Sequence, residues 1–554
     1  MAQPGPVLNV LPYILRDEHV RQMLLLPFKL PFTLRRFFGD RISVSDAKDQ
    51  LRHELQNREQ RFLALARTRV YSDPQSPYAL LLRHAGCELA DLDAALRQDG
   101  LEATLEGLAR EGVYLTPTEF KGKHDVVRNT LRFRVNADDL SPRYGPDTPA
   151  TFVTQSSGST DRPVRFISSL SWHASETLAF AAFAEAHGLL NHLQAAYEPA
   201  LAGIPGGIHF PIMLARLGVP FERWFARPVP VNNWLEAAYS RITAHELALA
   251  GSWFGPGFAR PEVVGTDELL HIIQWVEACS HDGHSTCIRT VASNASRIAR
   301  VAIAAGRSLA GCTFVASGEP VTVAKRRVVE QAGAKMTVVW GYEPGPVHVG
   351  LGCTNPAHGD EMHVLRHTLA VIEHPEPIVE TSSDAIRPLL FTTLYPTAAK
   401  LQINVSNGDH AVLSERACGC ALHEIGLTQH VHDVGSFEKL TTEGLAYSYD
   451  DLFELLETTL PDAFGGGAGD YQLVEEESAG GQTHLTLLVD PGAGPIDETR
   501  LLERLGTELA KGSRGNRFMA GVWKQTNALR LRREAPMASA RGKVLPLRIA
   551  GKAR

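Results

Sequence analysis

Two groups of residues in this chain have the types and spacing for chemistry. Residues 151–168, TFVTQSSGSTDRPVRFIS, place Ser156, Ser157, Gly158, Ser159 and Thr160 between two short runs that read as β-strands. Such a loop gathers backbone N–H groups and hydroxyls without bulky side chains, which suits it to wrapping phosphate oxygens. No Gly-Lys-Ser/Thr follows, and Val164 to Ile167 continues as strand, so this is not a Walker loop. The second group is Cys353-x4-His358 with Cys418-x-Cys420. Three thiolates and one imidazole suit tetrahedral Zn²⁺, and four protein ligands make such a site structural. His363, His410, His423, His430 or His432 could replace His358 in that set. Cys279, His281, His284 and Cys287 form a rival cluster that reads as a polar loop.

The elements that must position these residues are legible in outline. Residues 45–70 read as a charged amphipathic helix ended by Pro74 and Pro77, and further helices are expected through 78–110. Trp172 to Leu190 carries the wide apolar stripe of a buried helix. Residues 290–345 form the clearest α/β unit: strand Thr313 to Ala316, turn Gly318-Glu319-Pro320, helix Val321 to Gln331, strand Met336 to Trp340. This is long enough for a right-handed crossover between parallel strands. The turn and the loop Gly341-Tyr342-Glu343-Pro344 then leave carboxyl ends of strands, where open α/β sheets bind ligands. Strands dominate from about 385, and Asn407-Gly408-Asp409 reads as a hairpin turn. Three regions follow: helical 1–110, a core at 111–434, and a small C-terminal lid at 435–554 arranged βαββα.

The 554 residues exceed what one core can organise. A net charge of −7 gives no general attraction to nucleic acid, and basic residues near the C-terminus read as a solvated face. The apolar stretch Met23 to Leu34 is broken by Pro27 and Pro31, so no membrane span is expected. With no secretory signal and seven scattered cysteines, the expected compartment is the reducing cytoplasm.

Taken in order, the hydroxyl-rich loop, Gly-Glu-Pro, Trp-Gly-Tyr-Glu, Asn-Gly-Asp and a late Gly-Lys resemble the adenylate-forming superfamily of acyl-CoA ligases, adenylation domains and luciferases. The phenylacetate–CoA ligase branch is the most similar, since some of its members carry a split Cys/His site. The resemblance spans roughly residues 110–550 and implies an α/β fold: a large N-terminal domain of helix-flanked sheets and a small mobile α+β lid. It implies that Ser157, Ser159 and Thr160 hold the β,γ-phosphates of ATP, that Gly318, Glu319 and Pro320 form the adenine-pocket turn, and that Trp340 stacks on adenine. Glu343 would bind Mg²⁺, Asp409 the ribose hydroxyls, and Lys543, in Pro536-Met-Ala-Ser-Ala-Arg-Gly-Lys543, the α-phosphate and substrate carboxylate.

The resemblance departs at Asp161, where glycine is usual, at Val164, at Ser436 in place of a hinge arginine, and in the shortened 340–344 loop. The implied reaction is ATP-dependent activation of a carboxylic acid to an acyl-adenylate, with pyrophosphate released. Transfer to a thiol follows, of CoA or of the phosphopantetheine on an acyl carrier protein. Amide or acyl-protein ligation would use the same adenylate, and a nucleotide-binding scaffold is the reading from another class. An aryl or acyl group is expected in a pocket drawn from Ile204, Ile208, Phe210, Trp224, Trp234, Trp253 and Phe254.

Overall fold

The structure, a computed structural model, describes residues 29–549 apart from 31, 138, 142–150, 156–164, 199–205, 228–233, 342–347, 378, 381–384, 437–448, 478–482, 512–528 and 539–543. Its N-terminal region is helical. The expected helix over 45–70 is three consecutive segments, Val44–Gln56, Arg58–Leu65 and the π-helical Ala66–Tyr71. Two hairpins follow, β1 (Val126–Arg128) with β2 (Leu131–Phe133), and β3 (Thr151–Gln155) with β4 (Arg165–Ser169). The second brackets the hydroxyl-rich loop, so both flanking runs are strands.

A ten-stranded mixed sheet dominates the molecule. Its members are β5 (Leu193–Glu198), β6 (Phe221–Ala226), β7 (Pro261–Val263), β8 (Thr286–Val291), β9 (Cys312–Ser317), β10 (Lys335–Trp340), β11 (Gly350–Gly352), β12 (Met362–Val364), β18 (Asp409–Glu415) and β19 (Gln429–Ser436). The order is β18-β19-β12-β11-β10-β9-β8-β5-β6-β7. Strands from β10 to β7 are parallel and the remainder antiparallel, so the sheet changes character at β10. In the parallel half β8 is buried at every position, as expected of a strand covered by helices on each side. The helix Leu170–Ala186, which packs beside β11, is buried over most of its circumference.

Between the antiparallel strands lie β13 (Leu369–Glu373), β14 (Val379–Glu380), β15 (Ala385–Ile386), β16 (Leu389–Thr393) and β17 (Val405–Ser406). β13, β16 and β17 form a small sheet that shares an apolar core with the N-terminal helices, through residues such as Phe62, Leu105, Ile372 and Leu390. A third core belongs to the C-terminal region, where β20 (Tyr471–Glu477), β21 (Thr483–Val489), β22 (Leu529–Arg532) and β23 (Leu547–Ile549) make a four-stranded sheet. The described elements there run helix, strand, strand, helix, strand, strand, in place of the expected βαββα. Tyr449–Glu454 supplies the leading helix, and β23 adds a parallel edge strand beside β20. Among the described residues no helix is long and apolar enough to cross a membrane.

Candidate functional site

The parallel unit expected at 290–345 is present. β9 and β10 pair in parallel, joined by the helix Val323–Gln331 that Thr322 caps. Gly318-Glu319-Pro320 and Trp340-Gly341 therefore leave neighbouring strands at the same edge of the sheet. Gly318 has φ +84°, a left-handed conformation that favours glycine, and this lets the chain turn directly off β9.

Glu319 does something its place in the motif does not announce. Its carboxylate accepts bonds from Ser293 N (2.6 Å) and Ser293 Oγ (2.8 Å). It thereby caps the helix Ala292–Ala304, whose own N-cap residue Val291 offers no side-chain bond. Lys325 Nζ lies 3.6 Å from the same carboxylate, and both side chains are 1% exposed. Glu319 thus faces inward. Lys325 also reaches Glu457 Oε1 of the C-terminal region at 2.9 Å and lies over the Phe453 ring at 4.6 Å. Burial opposes charge on Lys325, but the two carboxylates hold its pKa above the ordinary lysine value. A single lysine gives no such signal in sequence.

Trp340 is half-buried at the end of β10 and meets Phe391 edge-on, with ring centroids 5.8 Å apart. Phe391 pairs with Val405, and Leu390 with Ser406, the residue before Asn407-Gly408-Asp409. The Asp409 turn is therefore reached from Trp340 through one strand of the small sheet. This turn is no hairpin: β17 belongs to the small sheet and β18 to the large one, so residues 407–408 carry the chain from sheet to sheet. Asn407 Nδ2 donates to Asp409 Oδ2 (2.8 Å), and Asp409 N to Asn407 Oδ1 (3.0 Å), which fixes the carboxylate's orientation. Asp409 pairs with Ser436, the hinge-motif residue, at the end of β19. Ser156 to Thr160, Tyr342, Glu343 and Lys543 lie outside the described residues.

The chain leaves β5 for β6 and β7 on one side and returns to β8 on the other. The topological switch point of the parallel half therefore lies between β5 and β8, where such sheets open a ligand crevice. Buried polar side chains collect around it. Arg289 Nε lies 3.6 Å from Glu198 Oε1, and the guanidinium stands 5.9 Å from the Phe210 ring. His348 Nδ1 meets Glu176 Oε2 at 2.9 Å, and His173 meets His209 at 3.1 Å. Burial, foremost, and the charge of Arg289 hold His348 below its ordinary pKa. Arg289 Nη1, Glu176 Oε1 and His348 Nε2 are buried with no hydrogen-bond partner among the described residues, a condition that folded proteins relieve with water or a ligand.

The apolar walls expected here are placed otherwise. Phe210 and Trp224 are fully buried core, whereas Trp253 is 73% exposed and Phe254 lies at the surface. Ile204 lies outside the described residues, and nothing is described of the side chains of Ile208 and Trp234.

The cysteine group assembles with one substitution. Cys353 follows β11, Cys418 and Cys420 follow β18, and the donor atoms of all three lie within 4.8 Å of one another and of His363. His363 Nδ1 is 2.7 Å from the Leu427 carbonyl, which can only accept, so Nδ1 carries the proton. The Nε2 lone pair then faces Cys420 Sγ (3.0 Å) and Cys418 Sγ (3.7 Å), with the orientation a metal-binding imidazole takes. Asn355 N and Cys420 N point at the sulfurs of Cys353 and Cys418. The thiol of Cys420 is pulled well below its ordinary pKa by the hydrogen bond from Cys353 and by His363. This donor set fits tetrahedral Zn²⁺.

His358 is not the fourth member. Glu361 accepts from the backbone N–H groups of Ala357 and His358, folding that loop so that the His358 ring lies flat on His432, with centroids 3.7 Å apart. The rival residues Cys279 and Cys287 are buried in a helix and in β8, and among the described residues they join no ligand group.

No family model and no curated protein matches the chain. Among solved structures it is similar to 2-hydroxyisobutyryl-CoA ligase in the postadenylation state in complex with R3-HIB-AMP, at 15% identity over 90% of each chain and a TM-score of 0.49. It is also similar to McyG A-PCP complexed with phenylalanyl-adenylate (13% identity, 73% of this chain and 58% of that one, TM-score 0.40). ATP-bound MatB from Rhodopseudomonas palustris gives 14%, 89%, 91% and 0.39 by the same measures.

Proposed function

We propose that the protein activates a carboxylic acid with ATP. A carboxylate oxygen attacks the α-phosphorus, the bond from that phosphorus to the bridging oxygen breaks, and pyrophosphate leaves as the acyl-adenylate forms. A thiol of CoA or carrier phosphopantetheine then attacks the acyl carbon and AMP departs. The observation that carries this reading is the shared sheet edge: Gly318–Pro320 and Trp340–Gly341 leave adjacent parallel strands, and Phe391 links Trp340 to the Asp409 turn. An aromatic face and a two-oxygen acceptor on one edge suit a purine and a ribose.

In this reading Ser157, Ser159 and Thr160 hold phosphates, Glu343 binds Mg²⁺, and Lys543 meets the charge that builds on the α-phosphate. Residues 435–554 act as the lid. The acyl group enters at the β5–β8 switch point, beside Arg289 and Glu198. Cys353, His363, Cys418 and Cys420 hold a structural Zn²⁺ that ties β11–β12 to the loop after β18.

The test is pyrophosphate release from Mg·ATP over a panel of aryl, fatty and hydroxylated acids, with hydroxylamine trapping of the adenylate. Acid-dependent release that fails in Lys543→Ala supports the reading. Retained ATP binding with no release from any acid would replace it with a nucleotide-binding scaffold.

A further inference from the structure

Resting on the adenylation reading, we propose that the acid activated by this protein carries a hydroxyl on its acyl group, recognised by His348 Nε2 and Arg289 Nη1 beside the β5–β8 switch point. The side chains that define the place are buried: Arg289, His348 and Glu176 are 6%, 1% and 1% exposed. Arg289 stands on β8 opposite Ala196 of β5, which contributes only a methyl group beside it. Its guanidinium faces the Phe210 ring. His348 lies just before β11, where Val349 N donates to the Trp340 carbonyl (2.7 Å). His348 therefore sits at the sheet edge from which the Trp340 loop leaves, and Arg289 is close enough for its charge to act on the ring.

The bonds already made decide what is missing. Glu176 Oε2 accepts from His348 N (3.1 Å) and from His348 Nδ1 (2.9 Å), so Nδ1 carries the ring proton. Burial, foremost, keeps the ring neutral at pH 7, which leaves Nε2 as a lone-pair acceptor. Nε2 and Glu176 Oε1 are thus two buried acceptors, and Arg289 Nη1 a buried donor, with no hydrogen-bond partner among the described residues.

A hydroxyl is the small group that both donates and accepts, so it can meet His348 Nε2 with its proton and Arg289 Nη1 with its oxygen. A plain hydrocarbon chain leaves all three atoms unpaired. A second carboxylate has no proton to offer Nε2, and the charge of Arg289 already faces Glu198, with Nε 3.6 Å from Oε1. Another buried anion there would lack a cation of its own. An ammonium would bring a like charge toward Arg289 and leave Nη1 without an acceptor.

The test measures kcat/KM for pyrophosphate release from matched acids: a plain chain and its analogues bearing one hydroxyl at successive carbons, an ammonium, or a second carboxylate. One hydroxylated analogue is expected to exceed its plain parent by about tenfold or more, because a site built to bond a hydroxyl rejects the acid that lacks it. His348→Phe keeps a ring without the acceptor and should bring that ratio close to one. Arg289→Met reads the same ratio from the donor side. The ratio compares two substrates on one preparation, so loss of folded protein cancels from it. No hydroxyl preference in any matched set, a preference for the ammonium or the second carboxylate, or a hydroxyl preference that survives in both variants would overturn the hydroxyl assignment and leave acid activation standing. Release from none of the acids would overturn acid activation, and the substrate class with it.

Discussion

Lys325 Nζ and Glu457 Oε1 meet at 2.9 Å, joining the helix after β9 to the π-helical segment Leu455–Thr459 of the C-terminal region. Both side chains are buried, at 1% and 6% exposure, and Thr322 Oγ1 donates to the other oxygen of Glu457. A second link, bidentate Arg300–Asp470 at 2.6 Å, lies nearby. The lysine also faces Glu319, so one cation ties the expected nucleotide turn to the C-terminal region.

Lys325→Met leaves two buried carboxylates without their cation. Breaking a buried pair in this way costs about 3–5 kcal/mol. The expected outcome is a lower unfolding midpoint in urea. A variant as stable as the parent would remove Lys325 from this role.

Glu319 and Trp340 should separate stability from nucleotide binding. Glu319→Ala uncaps the helix Ala292–Ala304 and is expected to lower the melting temperature with little change in ATP affinity. Trp340→Ala is expected to do the reverse, losing about 1–3 kcal/mol of base stacking. Calorimetric ATP titration beside thermal melts reads both, and equal effects from the two variants would contradict the assignment.

Metal content should follow His363 and ignore His358. Cys418→Ser or His363→Ala is expected to lose the tightly held equivalent of zinc and lower the melting temperature, while His358→Ala keeps it. Elemental analysis decides the matter. Metal-free, folded wild type would rule the site out.

Stability should fall in acid. Burial, foremost, lowers the pKa of His173 and of His367 to about 3 each, from an ordinary 6.5. The unfolded chain then binds more protons between those values, so the stabilisation is complete above pH 6.5 and is lost as pH falls toward 3. Each histidine contributes a slope of about 1.4 kcal/mol per pH unit in that window. Urea midpoints at pH 7 and pH 5 measure it, and His367→Gln should flatten the dependence.

Arg289 is expected to govern which acid is taken. Arg289→Met, close in length and uncharged, should lower kcat/KM for acids with a polar substituent more than for plain acyl chains. An even loss across the acid panel would assign Arg289 to folding.

Periodicity and turn chemistry carried much of the fold. Val321 to Gln331 between two β-rich runs specifies a crossover because only a helix of that length returns the chain in parallel. The two apolar runs flanking residues 156–160 likewise had to pair. The C-terminal order was less legible: β22 and β23 are short, and one of them pairs only because β20 offers an edge.

The sequence by itself determined which chemistry is available: a hydroxyl-rich loop, an aromatic and a turn leaving neighbouring strands, and a Cys/His pair far along the chain from a Cys-x-Cys pair. Local rules suffice there, since turn geometry and strand alternation depend on residues a few positions apart. Tertiary structure decided which partners meet. It chose His363 over His358 because Glu361 folds the intervening loop, and it turned Glu319 inward onto Ser293 and Lys325. It also gathered Glu198, Arg289 and His348 at the sheet's switch point. The Glu319–Ser293 and His348–Glu176 contacts join residues 26 and 172 positions apart, and only the closed core brings them within bonding distance.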